Sequence, residues 1–228
     1  MGMCKRLFCF WTGENKMPPN RIAALNTLSR SGLKVVFIEK YNLDKWILKE
    51  DKIHPAYYNL SAVHKADFLR VYFMHHYGGG YCDIKNINES WLDAYDDLYS
   101  GNKLVVGYPE IGWKGVAMVG GFEYIKLILN HKKLIGNGAY ICKSNTNFTT
   151  EWYEKTRKFL DIFASQLQEN PANDPEDYKG KINNGKVSKY PLKWSQLLGN
   201  IFHPLCYKYR KQIIRNLPPP DFISNYNK

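Results

Sequence analysis

The sequence predicts an α/β fold, with a mixed, mostly parallel sheet flanked by helices, and the order of its apolar runs carries that expectation. The chain opens on an apolar run, a helical pattern and a second apolar run, the order of a βαβ unit. A helical segment with a polar face then passes through Gly78-Gly79-Gly80 into another short apolar run. Later, an apolar run precedes a long amphipathic segment.

Taken in order, Leu7 to Trp11 reads as a buried strand that ends in a turn at Thr12-Gly13. Across 20–31, Ile22, Leu25 and Leu28 recur at helical spacing, and Gly32 closes the helix. Val35-Val36-Phe37-Ile38 is the next strand. A short helix over 43–49 precedes a longer one with Ser61 as its N-cap and Gly78 as its stop. Residues 81–84 and 103–107 read as further strands, whereas 116–128 is apolar and fits strand or helix equally. Residues 134–142 form a late strand carrying Gly136-Asn137-Gly138. The stretch 150–168, with Trp152, Phe159, Phe163 and Leu167, is an amphipathic helix. Residues 170–190, rich in Pro, Asn, Asp, Gly and Lys, read as a loop or lid, and the tail 194–217 as helical on both sides of Pro204.

The 228 residues suit a single α/β domain over 1–228. No apolar run approaches the ~18–20 residues that span a bilayer. Cys4, Cys9, Cys82, Cys142 and Cys206 have no paired spacing and read as separate buried thiols, which points to a reducing, cytoplasmic setting. The net charge of +11 favours nucleic acid, anionic lipid or phosphorylated small molecules. The basic residues are scattered and no nucleic-acid motif accompanies them, so nucleic acid is not expected as a partner. The tail mixes Leu197, Leu198, Ile201, Phe202, Leu205, Ile213 and Ile214 with Lys and Arg, so it either packs on the core or touches an anionic membrane peripherally.

The chemistry concentrates in His64-Lys65-Ala66-Asp67-Phe68-Leu69-Arg70 and Gly79-Gly80-Tyr81-Cys82-Asp83-Ile84-Lys85. Residues three apart share a helix face, so His64, Asp67 and Arg70 stand together. Asp67 can accept from sugar hydroxyls, and Arg70 can clamp a phosphate; alternatively the two form an internal pair that orients the helix. The glycines let the chain turn sharply into the next strand. Asp83 then arrives at or near the carboxyl end of that strand, where open α/β sheets bind ligands.

These two segments resemble the DXD-containing sugar-binding region of family 32-type glycosyltransferases, a group that includes capsular-polysaccharide-synthesis sugar transferases and clostridial glucosylating toxins. Phe8-Cys9-Phe10-Trp11-Thr12-Gly13 is similar to that family's first strand and its Trp-x-Gly. The resemblance is good over roughly residues 5–90 and loose beyond. It implies a GT-A, Rossmann-like fold that transfers a hexose from a nucleotide sugar, UDP-linked by preference, to a hydroxyl acceptor on a glycan, polysaccharide or lipid-linked carrier, with retention. Residues 1–90 would form the nucleotide-sugar-binding half, 91–170 the acceptor half, 171–193 a lid and 194–228 a helical tail. Trp11 would border the base, with Thr12 and Gly13 giving backbone contacts to the nucleoside. Asp67 and Arg70, with Gly79 and Gly80, would hold the donor sugar. Asp83 would be the first carboxylate of the DXD motif, which in the family binds a divalent metal, Mn²⁺ or Mg²⁺. Asn137 would touch donor sugar or acceptor, or else serve a turn. His203 would close on the diphosphate or supply a metal ligand, or else pack beside Pro204.

The chain departs from that pattern at Lys85, where an ammonium replaces the second carboxylate. Either Lys85 neutralises the diphosphate itself, or a weakened metal survives on Asp83, phosphate oxygens, water and Asn86 or His203, or Lys85 faces solvent. The altered motif keeps a second function in view: a nucleotide-sugar-binding homologue, weak or inactive in transfer, that partners an active transferase.

Overall fold

The computed structural model describes residues 5–222, so Cys4 and its expected burial lie outside the described residues. The sheet takes in β1 (Arg6–Trp11), β2 (Lys34–Glu39), β3 (Gly79–Cys82), β4 (Val105–Pro109), β5 (Ile135–Cys142) and β8 (Ile213–Ile214). Strands β6 (Ile182–Asn183) and β7 (Lys186–Val187) form a separate small hairpin. The helices are α1 (Pro19–Thr27), α2 (Ala62–His76), α3 (Leu92–Ser100), α4 (Gly121–Leu129), α5 (Asn147–Glu169) and α6 (Gly199–Lys208).

The strand order is β2-β1-β3-β5-β4-β8. Strand β1 pairs in parallel with β2 and β3, β5 runs antiparallel to β3 and β4, and β8 is parallel to β4. The architecture is therefore α/β, a six-stranded mixed sheet between helical layers. Period-two alternation along β1 builds both cores. Phe8 and Phe10 enter the layer made with α2, α5 and α6. Leu7 and Cys9 enter the layer made with α1 and α3. The order in which strands are added reverses at β1, with β2 on one side and β3 on the other, so the carboxyl ends of β1 and β3 flank a crevice.

Helix α2 starts and stops where its sequence signals stand. The Ser61 hydroxyl accepts from the His64 backbone N–H, and the N–H groups of Tyr77 and Gly78 both donate to the Phe73 carbonyl. Gly78 and Gly79 take φ of 62° and 83°. A Cβ at Gly78 would lie 2.8 Å from the Ser144 nitrogen and 2.9 Å from the Cys142 oxygen, both backbone. The turn therefore needs glycine for conformation and for space.

Several expectations are corrected. The ambiguous stretch 116–128 holds helix α4, entered through Gly120 and Gly121 at positive φ. Helix α3 was not foreseen, and the tail is not helical to its end, because Ile213–Ile214 pairs with β4. Leu197, Leu198, Phe202, Leu205 and Ile213 are buried, so these apolar side chains of the tail pack on the core. Helix α6 continues through Pro204. Cys9, Cys82, Cys142 and Cys206 are free buried thiols, as their spacing implied.

Candidate functional site

A cavity of about 1030 Å³ opens at the carboxyl ends of β1 and β3. It brings together Trp11, Thr12, Gly13, Asp67, Arg70, Asp83 and Asn137. These residues come from the end of β1, the middle of α2, the end of β3 and the start of β5.

Arg70 is the centre of the arrangement. Its Nη2 lies 3.1 Å from Asp67 Oδ1 and 3.4 Å from Asp83 Oδ1. Its Nη1 donates to the Asn137 carbonyl at 2.9 Å, and the guanidinium stacks 4.4 Å from the Tyr81 ring centroid. Burial alone would lower the Arg70 pKa, but Tyr81, Asp83 and Asp67 outweigh it and raise it well above the usual value. The internal pair and the ligand-facing carboxylate thus coexist. Both Nη atoms of Arg70 are engaged by protein groups, and Asp67, Arg70 and Asp83 all line the cavity. Burial pushes Asp67 up to about 7; Arg70 opposes that rise and Asp83 adds to it. Asp67 therefore exchanges its proton near neutrality.

Tyr81 was not foreseen. Its hydroxyl donates to Asp83 Oδ1 at 2.6 Å. With Arg70 on the same oxygen, Asp83 is held in one orientation and Oδ2 is left beside Gly138, where a Cβ would sit 3.3 Å away. Asp83 itself follows the last residue of β3, and its N–H donates to the Gly138 carbonyl at 2.8 Å. Asn137 Oδ1 is buried and has no hydrogen-bond partner among the described residues, a position suited to a ligand donor.

Across the crevice, the Trp11 indole N–H donates to the Asn15 carbonyl at 2.9 Å, fixing the ring on the rim. Thr12 Oγ1 lies 3.3 Å from the Tyr57 hydroxyl. A Cβ at Gly13 would stand 2.5 Å from Asn15 Oδ1 and 2.9 Å from Ala62 Cβ, so the β1 turn runs directly against the start of α2. Lys16 and Arg21 add positive charge to the wall, and Arg21 Nη1 donates to the Ile84 carbonyl at 2.7 Å. Neither cation was picked out from the sequence.

Other expected residues sit elsewhere. Gly79 and Gly80 begin β3, whereas Asp83 follows its end; four residues of strand separate their ends by about 13 Å. They make the turn and do not line the cavity. His64 is buried; its Nδ1 lies 2.9 Å from the Tyr190 hydroxyl and its Nε2 3.2 Å from the Trp194 carbonyl. Burial pushes its pKa down to about 4, so it is a neutral clip between α2 and the 190–194 segment. That segment and the preceding loop are anchored, since the Val63 N–H donates to the Pro175 carbonyl. Pro175, Glu176, Trp194 and Ser195 form the outer wall where a lid was expected.

Lys85 neither faces solvent nor lines the cavity. It is buried, with its ammonium 4.2 Å from the Phe222 ring centroid. Burial pushes its pKa down to about 8, Asp83 pulling the other way. His203 is fully buried outside the cavity; its Nδ1 accepts from the Ala117 N–H at 3.0 Å and its Nε2 lies 3.6 Å from Glu110. A divalent cation needs several oxygen donors. Here Asp83 Oδ1 is already engaged, and among the described residues no group of three or more His, Cys, Asp or Glu side chains could hold a metal.

Comparison of the chain with models of known protein families and with curated proteins finds no match.

Proposed function

We propose that this protein is a GT-A-type glycosyltransferase that moves a hexose from a nucleoside-diphosphate sugar, UDP-linked by preference, to a hydroxyl of a glycan, polysaccharide or lipid-linked acceptor. The observation that carries the proposal is the convergence of Asp67 and Asp83 around Arg70 in a cavity whose opposite wall is Trp11-Thr12-Gly13. The base borders Trp11, and the sugar hydroxyls meet Asp67, Asp83 and Asn137. The anomeric C–O bond to the diphosphate breaks while the acceptor oxygen bonds to the same carbon. Attack from the leaving-group side retains configuration and passes the acceptor proton to the departing diphosphate. Lys16 and Arg21 stabilise the charge that develops there.

A second reading, a nucleotide-sugar-binding protein that does not transfer, draws on Lys85, whose ammonium is packed under Phe222 outside the cavity and leaves the diphosphate without the charge that the motif position would supply. A hydrolysis screen of UDP- and GDP-sugars, each with Mn²⁺, Mg²⁺ or EDTA, separates the two. The transferase reading expects release of nucleoside diphosphate that persists in EDTA and is lost in Asp83→Ala with the fold intact. Arg21→Met should weaken UDP binding by roughly tenfold. Full turnover in Asp83→Ala sinks the assignment, and binding without release favours the second reading.

A further inference from the structure

Helix α4 is apolar on both sides but covered on only one. Leu127 is buried, with Tyr124 and Ile128 packed against the core. On the other side Phe122, Ile125 and Leu129 share a face at helical spacing and are exposed, Phe122 by 91% and Leu129 by 77%. The loop leading into α4 adds exposed Ile111, Trp113 and Met118. Large apolar groups gathered in one exposed segment mark an interaction surface.

The charge around this face selects its partner. Between 111 and 133 stand Lys114, Lys126, Lys132 and Lys133 against Glu123 as the sole carboxylate. Lysines beside apolar and aromatic side chains are the composition of an interfacial helix. We infer that the 111–133 face docks on an anionic lipid surface, α4 lying in the plane of the headgroups with Phe122, Ile125 and Leu129 inserted. No helix among the described residues is long and apolar enough to cross a membrane, so the contact would be peripheral. The face adjoins the cavity: Asn200 Nδ2 donates to the Met118 carbonyl, and Gly199, a cavity residue, packs on Ala117. Docking would therefore bring the cavity close to the lipid surface. The inference does not depend on sugar transfer.

The test is co-sedimentation with vesicles of phosphatidylcholine alone or mixed in roughly equal parts with phosphatidylglycerol. The protein should bind the anionic vesicles, bind pure phosphatidylcholine at least roughly tenfold more weakly, and release in about 0.5 M salt. Phe122→Ser with Leu129→Ser, and separately Lys126→Glu with Lys132→Glu and Lys133→Glu, should each lower binding by roughly tenfold or more. Unchanged far-UV circular dichroism and melting must accompany the loss, as these side chains are exposed. No binding to anionic vesicles, or binding that survives both sets of substitutions, overturns the inference. So does a dimer in sedimentation equilibrium that Phe122→Ser with Leu129→Ser dissolves, which would assign the face to a second copy.

Discussion

Replacing Asp67 by asparagine removes a charge that the fold accommodates at a cost. Asp67 is 3% exposed, and burial outweighs the attraction of Arg70, so its carboxyl titrates at about 7 in place of 3.8. An acid whose pKa rises on folding contributes most stability below its unfolded value and loses it as pH climbs through the folded one. The rise corresponds, at ~1.4 kcal/mol per pH unit, to at most about 4 kcal/mol. Asparagine mimics the protonated acid in shape and keeps Arg70 neutralised by Asp83. The variant should match the parent near pH 4 and gain on it progressively toward pH 8. At ~2–4 °C per kcal/mol for a chain of this size, the gain in melting temperature at pH 8 reaches up to about 16 °C. Turnover of the nucleotide sugar should fall in the same protein, since Asp67 is a proposed sugar contact. Melting both proteins across pH 4 to 8 makes the difference curve, which cancels the other titrating groups. A variant less stable than the parent by about 2 kcal/mol at pH 8, or a difference independent of pH, would refute the reasoning, because the Asp67–Arg70 pair would then be net stabilising.

Tyr81→Phe deletes the hydroxyl that donates to Asp83 Oδ1 and should cost ~1.5–3 kcal/mol in urea unfolding; a larger loss of turnover than of UDP affinity would mark Tyr81 as a positioning residue for Asp83. Gly78→Ala puts a Cβ within 2.8 Å of the Ser144 nitrogen at φ 62°. The left-handed conformation alone costs ~1–2 kcal/mol, so a urea midpoint that does not move would show that the turn can relax.

Elements with strong periodicity and caps were legible in the sequence: β1, β2, α2 and α5 follow from apolar runs, Ser61 and an amphipathic stripe. Helix α3 is only nine residues long, so Leu92, Tyr95 and Leu98 give its apolar period few turns in which to register. Strand β8 spans only Ile213–Ile214, too short for any period to register. In the site, Asp67, Arg70 and Asp83 were readable because motif spacing reports elements adjacent in the chain. Arg21 reaches Ile84 across 63 residues and His64 reaches Tyr190 across 126, which no local pattern reports. The family resemblance sets Gly79 and Gly80 beside the donor sugar, whereas they open β3 and Asp83 follows its far end. The Tyr81 ring is buried in the core, while its hydroxyl reaches Asp83, a role that the strand pattern does not report.

The Arg70 bond to the Asn137 carbonyl and the Asp83 N–H bond to Gly138 tie the first ninety residues to a strand made much later. During synthesis, α2 and β3 leave the ribosome long before β5 does. Until β5 inserts between β3 and β4, Arg70 lacks its carbonyl and the Asp83 backbone its acceptor. The nascent chain therefore carries both carboxylates without a finished pocket, and the cavity is complete only once the antiparallel strand is in place.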